Sequence, residues 1–167
     1  MKRLFLTPIF MVLALSLCQA QNEVENPSIS IAMIASDMDT SYDFYTNIIG
    51  MVETGGFSID ESFGKKSGLT GGAPYDVKIL KLVDDPHSTE FKLASFGNPK
   101  VDAGNVIQDK NGLRYITIYL KSTEGVWQRI KDNNIKTLGD TPLQLPNGKT
   151  FILIQDPDGL FIELIGN

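Results

Sequence analysis

The chain repeats one order of secondary structure elements, and this duplication constrains its fold more than any other feature. In each half, an apolar, strand-like segment is followed by a helix and then by three further strand-like segments. The predicted strands are residues 29–35, 52–60, 76–82 and 91–96 in the first half, and residues 113–120, 135–139, 151–155 and 161–165 in the second. This pattern predicts an α+β fold made of two similar modules.

The two predicted helices begin at residues that are typical helix caps. Asp37 precedes apolar residues that recur at helical spacing until Gly50, and Ser122 precedes a segment that carries Val126 and Trp127. Each helix has a single apolar stripe. We therefore expect each helix to pack on one face of the strands of its own half.

Turn residues separate the strands of the second half, where Asn147-Gly148 predicts one hairpin and Asp156-Pro157-Asp158-Gly159 predicts another turn. The first half instead contains a long, polar, Gly-rich loop at residues 62–75. Loops of this length in compact domains are often lids or binding loops, but they are as often passive excursions. The sequence leaves both interpretations of this loop open.

The first twenty residues have the pattern of a secretory signal peptide. Lys2 and Arg3 precede an apolar run at residues 4–17, which is too short for a membrane span, and we predict cleavage after Ala20. A lipoprotein anchor on Cys18 is the less favoured alternative, because Leu17 lies where such a signal needs a small residue. We expect an exported protein, periplasmic or secreted, with a polar lead at residues 21–28 before the folded domain.

Charge and residue usage exclude several functional classes. The chain has a formal net charge of −5, which argues against a nucleic-acid partner. Its one cysteine lies in the predicted signal peptide, so the mature chain has no thiol nucleophile and no thiolate for a metal site. His87, the only histidine, lies in a polar turn and is expected to be an exposed loop residue.

Two motifs at the ends of the duplicated unit carry a family resemblance. Residues 37–45, DMDTSYDFY, open the first helix, and residues 155–164, QDPDGLFIEL, lie close to the end of the chain. In this order the chain resembles the vicinal oxygen chelate superfamily, which includes glyoxalase I, extradiol dioxygenases and bleomycin-resistance proteins. The resemblance covers residues 29–167 and implies two βαβββ modules, about residues 29–97 and 112–167, whose sheets curl around a concave cavity, commonly within a homodimer.

The resemblance also implies where a metal would lie. Metal-using members take one ligand from the first and the last strand of each module, and motif spacing carries these positions to Ser30, Lys92, Tyr115 and Glu163. Only Glu163 matches the family pattern, because hydroxyls are poor ligands for divalent ions and a charged lysine has no lone pair. We therefore expect no cofactor, with a divalent metal held by Glu163 as the alternative.

The strand period of two defines which side chains share the face that the resemblance assigns to the cavity. We predict a ligand-binding set on this face: Lys92, Tyr115, Ser30, Thr117 and Tyr119. Glu163 is the candidate catalytic acid or base. We also expect Lys92 to pair with Glu163, because a buried carboxylate needs a cation within reach. That pair either anchors an anionic or carbonyl oxygen of a ligand or is only structural.

Three functions agree with these residues. The first is a binding protein for a small, anionic or carbonyl-bearing molecule, without the usual metal. The second is an enzyme, a lyase, isomerase or dioxygenase that uses Glu163 as a base or a metal ligand. The third is a structural or interaction module without a ligand. The sequence does not decide whether the protein is an enzyme, and beyond a second copy of the chain it predicts no macromolecular or membrane partner.

Overall fold

The structure is a computed structural model that describes residues 24–167. The predicted signal peptide, with Cys18, lies outside the described residues, as do the first residues of the polar lead. Within residues 24–167, no helix has both the length and the apolar character needed to cross a membrane.

The first module contains four strands, two α-helices and one π-helical segment. Strand β1 (Ser30–Ala35) leads into helix α1 (Met38–Asp43), which continues as a π-helical segment (Phe44–Ile49). Strand β2 (Val52–Ile59), helix α2 (Glu61–Ser67), strand β3 (Tyr75–Lys81) and strand β4 (Glu90–Ser95) follow. The strands form a sheet in the order β1-β4-β3-β2, with β1 parallel to β4 and the other pairs antiparallel.

The second module repeats this topology. It consists of strand β5 (Tyr115–Tyr119), helix α3 (Glu124–Asp132), strand β6 (Leu143–Gln144), strand β7 (Thr150–Gln155) and strand β8 (Phe161–Gly166). The sheet order is β5-β8-β7-β6, and β5 is parallel to β8. The predicted α+β fold of two duplicated modules is confirmed.

The caps of the helical segment formed by α1 and its π-helical continuation agree with the predicted start and end of the first helix. The Asp37 side chain accepts a hydrogen bond from the Thr40 backbone N–H at 2.7 Å, which satisfies a donor of the first turn. Gly50 ends the helical segment with a φ of 94°, a left-handed conformation that glycine adopts without steric cost. The predicted single helix from Asp37 to Gly50 is therefore present, but its second half has π-helical hydrogen bonding.

Two local predictions differ from the structure. The predicted strand at residues 135–139 is wrong: only Thr137 forms an isolated bridge, to Ile154, and β6 lies further along the chain. The reason is that the Thr141 hydroxyl occupies the next pairing position, where it accepts a hydrogen bond from the Leu153 N–H at 3.3 Å. The long loop of the first module was also expected to lack regular structure, yet α2 occupies its first half.

A single hydrophobic core joins the two modules. It contains Phe91 and Leu93 of β4, Ile116 and Ile118 of β5, and the buried side chains of the π-helical segment (Phe44–Ile49). Arg129 of α3 adds polar contacts, because its guanidinium donates to the carbonyl of Ile48 at 2.8 Å. The helical segment that begins with α1 and helix α3 thus pack in the common core against the inner faces of the two sheets. The opposite faces of the sheets remain available for other contacts.

A buried hydrogen bond connects the first helix to the last turn of the chain. The Tyr45 hydroxyl donates to Asp156 Oδ2 at 2.7 Å, and both residues are buried. The other oxygen of Asp156 accepts from the Leu160 backbone N–H at 2.8 Å, while the Asp158 carboxylate accepts from the Ser36 N–H at 3.1 Å. The two aspartates thus hold the start of α1 and the middle of the helical segment against the second module.

We expect Tyr45→Phe to lower the free energy of unfolding by about 1–3 kcal/mol, because the change removes a donor and leaves a buried carboxylate oxygen without its partner. Urea unfolding of the mature chain, followed by the fluorescence of Trp127, measures this difference. Tyr42→Phe, on the same helix but partly exposed, is the matched control and should change stability by less than about 0.5 kcal/mol. Equal effects of the two substitutions would contradict the role given to the Tyr45 hydroxyl.

Candidate functional site

The face of the first sheet that points away from the core forms a cleft of about 1250 Å³. Its walls are mostly apolar and aromatic, and every lining residue belongs to the first module. The main lining side chains are Ala32, Ile34, Phe57, Ile59, Phe63, Leu69, Tyr75, Val77, Lys92 and Phe96. A concave, largely apolar surface with few polar groups is typical of sites for small molecules.

The polarity of this face changes along the strands. Lys92 lies between Ala32 of β1 and Ile79 of β3 in the strand register. Two residues further along β4, Ala94 lies between Ile34 and Val77, and this row contains no charged side chain. Two residues before Lys92, Glu90 is paired with Ser30. The face is therefore charged at one end and apolar at the other.

The apolar end is partly covered by α2 and the loop that follows it. The Asp60 side chain caps α2 by accepting from the Phe63 N–H at 2.7 Å, and Gly68 ends it with a φ of 75°. Phe63 and Leu69 line the cleft, although they are 55% and 66% exposed. Of the two interpretations of the loop at residues 62–75, this placement favours a binding segment.

The predicted ion pair between Lys92 and Glu163 is not formed. The Lys92 ammonium instead lies 3.6 Å from Glu90 Oε2, and Glu163 makes no ion pair within 4.0 Å anywhere in residues 24–167. The physical reason is the register, which places Glu90 on the same face of the same strand, two residues from Lys92. Glu90 was missed because the predicted strand began one residue later, at Phe91.

Glu90 is the centre of a small charge cluster. It accepts a hydrogen bond from the Ser30 hydroxyl at 2.9 Å, and its other oxygen lies 3.9 Å from the Lys81 ammonium. The Lys81 side chain is only 11% exposed, and its ammonium also donates to the Asp85 carbonyl at 3.1 Å. Lys92 donates no hydrogen bond within the described part of the chain, so its donors are available to a ligand.

The other predicted site residues lie on the second sheet, outside this cleft. The Thr117 hydroxyl donates to Glu163 Oε2 at 2.6 Å across the paired strands β5 and β8. Tyr115 and Tyr119 lie on the same face of β5 and are 47% and 74% exposed. The predicted set is therefore divided between two faces: Lys92 lines the cleft, Ser30 lies beside it through Glu90, and the remaining residues are on the second module.

The side chains at the four metal-ligand positions implied by the resemblance differ from the typical donor set for a divalent metal. Ser30 is occupied by its hydrogen bond to Glu90, Lys92 is a cation, and Tyr115 contributes only a neutral hydroxyl. In residues 24–167, no group of three or more His, Cys, Asp or Glu side chains has the arrangement of a metal site. Glu163 is thus the only donor of the expected type at these four positions.

The buried aspartate of the last turn has a structural role. Gly159 donates to the Asp156 carbonyl at 3.0 Å, which confirms the predicted turn. Burial raises the pKa of the Asp156 carboxyl above its usual value, although the hydrogen bond from Tyr45 opposes this shift. Burial and the neighbouring carboxylate also raise the pKa of Tyr45. Both groups are engaged with each other, so neither is available for chemistry in the cleft.

Comparisons with known proteins agree with this architecture. The profile described as Glyoxalase/Bleomycin resistance protein/Dioxygenase superfamily matches residues 29–164. A search of curated protein sequences returned no match.

Several solved structures share the fold. A glyoxalase family protein from Bacillus cereus superimposes with a TM-score of 0.69 at 17% identity, over 88% of this chain and 97% of that one. Glyoxalase I from Leishmania major, described as trypanothione-dependent, gives a TM-score of 0.54 at 19% identity, over 82% and 84% of the two chains. A lactoylglutathione lyase from Agrobacterium tumefaciens gives 0.51 at 18% identity, over 83% and 92%. At these identities the likeness establishes the fold alone.

We expect a protein of residues 21–167 to retain far less than one Zn²⁺ or Mn²⁺ per chain after incubation with either ion and desalting, because Glu163 is the only donor of the expected type at the four positions. Elemental analysis of the desalted protein measures this. Glu163→Gln is the matched variant and should give the same low content. A stoichiometric metal that is lost in Glu163→Gln would contradict this interpretation of the donor set.

Proposed function

The chain belongs to the Glyoxalase/Bleomycin resistance protein/Dioxygenase superfamily, and we propose that it binds a small molecule with an anionic or carbonyl oxygen in the cleft of its first module. One observation carries this proposal: Lys92 is the only charged side chain among the residues that line a mostly apolar cleft, and its ammonium donates no hydrogen bond within residues 24–167. A cation with open donors at the edge of an apolar cleft attracts an oxygen acceptor more strongly than it would in bulk water.

The size of the cleft supports the binding of a small molecule rather than of a single ion. Its volume of about 1250 Å³ exceeds the roughly 300–1,000 Å³ that is typical of pockets for ligands of drug size, so such a ligand fits within it. The Phe57 ring lies 6.0 Å from the Lys92 ammonium, so a cationic and an aromatic group face the same space. A ligand with an oxygen at one end and an apolar body would contact both groups.

The proposal includes a homodimer. The cleft has walls from the first module only, while the corresponding face of the second module exposes Tyr115, Tyr119 and Leu143 to solvent. Exposed aromatic side chains on one sheet face are typical of a surface that a partner covers. We propose that a second copy places this face over the cleft, which would bring Glu163 of the second copy towards Lys92.

We further propose that the protein acts outside the cytoplasm and without a bound metal. The export proposal rests on the basic and apolar pattern of residues 1–20. The proposal of a metal-free site rests on the side chains at the four ligand positions, of which only Glu163 is a typical donor.

A second candidate function is proton transfer by Glu163. Thr117 orients the Glu163 carboxylate by donating to Oε2, while Oε1 accepts no hydrogen bond within residues 24–167. A fixed, half-buried carboxylate with one open oxygen has the properties of a general base. Because Glu163 is outside the cleft of its own chain, this function requires the proposed dimer.

We expect native mass spectrometry of the mature protein to detect a bound small molecule after expression in its own host, and we expect Lys92→Met to lose this molecule. The substitution keeps the apolar stem of the side chain and removes only the ammonium. Lys78→Met is the matched control, since Lys78 lies on the same sheet but pairs with Glu53 outside the cleft. Retention of the molecule by Lys92→Met would contradict a site at Lys92, and a bare wild-type chain would favour a module without a ligand.

We expect light scattering of the mature protein to give the mass of a dimer, and we expect Tyr119→Asp to shift it towards the monomer. A carboxylate at this position would be buried without a partner in the dimer. Val101→Asp, at a position that is equally exposed but lies in the segment between the modules, should leave the dimer intact. A monomeric wild-type protein would contradict the proposed arrangement and, with it, proton transfer by Glu163.

A further inference from the structure

We infer that the ligand of the cleft is an amphipathic monoanion, a carboxylate with an extended apolar body, whose head binds Lys92 and whose body lies under Phe63 and Leu69. This inference rests on the proposed function and specifies its ligand class. It depends on three features of the first module: the charge cluster around Glu90, the apolar rows beyond Lys92, and the exposed apolar side chains of α2 and its loop.

The charge cluster selects for a single negative charge. Glu90 lies between two ammonium groups, Lys81 at 3.9 Å and Lys92 at 3.6 Å, so the three side chains have a net charge of about +1. Lys81 is largely buried and already donates to the Asp85 carbonyl. Only Lys92 is therefore open to a ligand, and a doubly charged head such as a phosphate monoester would meet Glu90 without a second free cation.

Glu90 acts here as a positioning residue. It holds the Lys92 ammonium on the cleft face, and it is itself fixed by the hydrogen bond from Ser30 at 2.9 Å. Because the Glu90 carboxylate offsets part of the charge of Lys92, a neutral carbonyl oxygen gains little binding free energy from the Lys92 ammonium. An anion gains more, since the whole cluster remains positive when Glu90 is included.

The length of the apolar end sets the length of the ligand. From the Lys92 row, the cleft passes Ala94 and Val77 and reaches Tyr75, whose ring contacts Phe96 with centroids 4.9 Å apart. Phe96 is four positions beyond Lys92 along the chain, which corresponds to about 13 Å at the rise of an extended strand. An apolar chain of about this length would contact side chains along its full extent.

The exposure of Phe63 and Leu69 indicates that this end takes an apolar group. Both side chains line the cleft, yet more than half of each is accessible to water. Contact between large apolar side chains and water is unfavourable, and covering these side chains with another apolar surface lowers the free energy. An apolar ligand body provides that surface, so the loop with α2 contributes to the site instead of only covering it.

The test uses the mature protein and four ligands, each titrated by isothermal calorimetry. Octanoate, octan-1-ol and octyl phosphate differ only in the head group, and butanoate has the head group of octanoate on a shorter chain. We expect octanoate to bind at least about tenfold more tightly than octan-1-ol, because only the carboxylate gains from Lys92. The affinity for octanoate should also be at least about tenfold higher than the affinity for butanoate, since each buried methylene adds to the affinity. Octyl phosphate should bind more weakly than octanoate.

Two variants separate the head from the body. Lys92→Met should reduce the preference for octanoate over octan-1-ol to less than about twofold, and Phe63→Ala should weaken octanoate without changing that preference. Lys78→Met is the control on the opposite face of the sheet. Equal binding of acid and alcohol by the wild-type protein, or tighter binding of octyl phosphate, would overturn the inference without the use of any variant.

The outcomes also distinguish this inference from the proposed function. If none of the four ligands binds but native mass spectrometry finds a molecule that Lys92→Met loses, the cleft is a binding site for another class of ligand and only the inference fails. If no ligand binds and no molecule is found, both fail. Binding of octanoate that Lys92→Met abolishes supports both.

Discussion

The arrangement of the two modules depends on the buried hydrogen bond between Tyr45 and Asp156. A carboxylate placed in a hydrophobic core is unfavourable unless its oxygens are satisfied, and Asp156 meets this requirement with the Tyr45 hydroxyl and the backbone N–H groups of Asp158 and Leu160. These donors come from both modules. The aspartate is therefore satisfied only when the modules pack in one orientation, a constraint that the non-directional apolar core around it cannot impose.

This orientation determines what the two sheets present to solvent. The helices and one face of each sheet meet in the common core, and within the described residues the cleft face of the first sheet and the Glu163 face of the second have no side chain in that core cluster. Side chains on those faces, such as Lys92 and Tyr119, can therefore change with less loss of folding free energy than core residues. The same division explains why an apolar cleft and exposed aromatic residues coexist in one chain.

Much of the fold could be predicted from the sequence, since the strand and helix periodicities, the Asp37 cap and the turn at Asp156 each act over a few residues. The predicted strand at residues 135–139 failed because a side chain, that of Thr141, replaced a backbone partner. The predicted ion pair between Lys92 and Glu163 was wrong for a different reason. The partner of Lys92 depends on the register of β4 and on which faces of the two modules meet, and neither is encoded in local spacing.

Lys92 stands at a position where the resemblance implies a metal donor, and this difference determines what the proposed site could recognise. A divalent metal and an ammonium both attract an oxygen, but a metal also polarises it strongly and binds several donors at once, whereas an ammonium offers one charge and three hydrogen bonds. The Glu90 carboxylate, 3.6 Å from the Lys92 ammonium, offsets part of the field of that ammonium at the cleft. For the proposed ligand, most of the binding free energy would then come from the apolar end, so recognition would depend more on the body of the ligand than on its head.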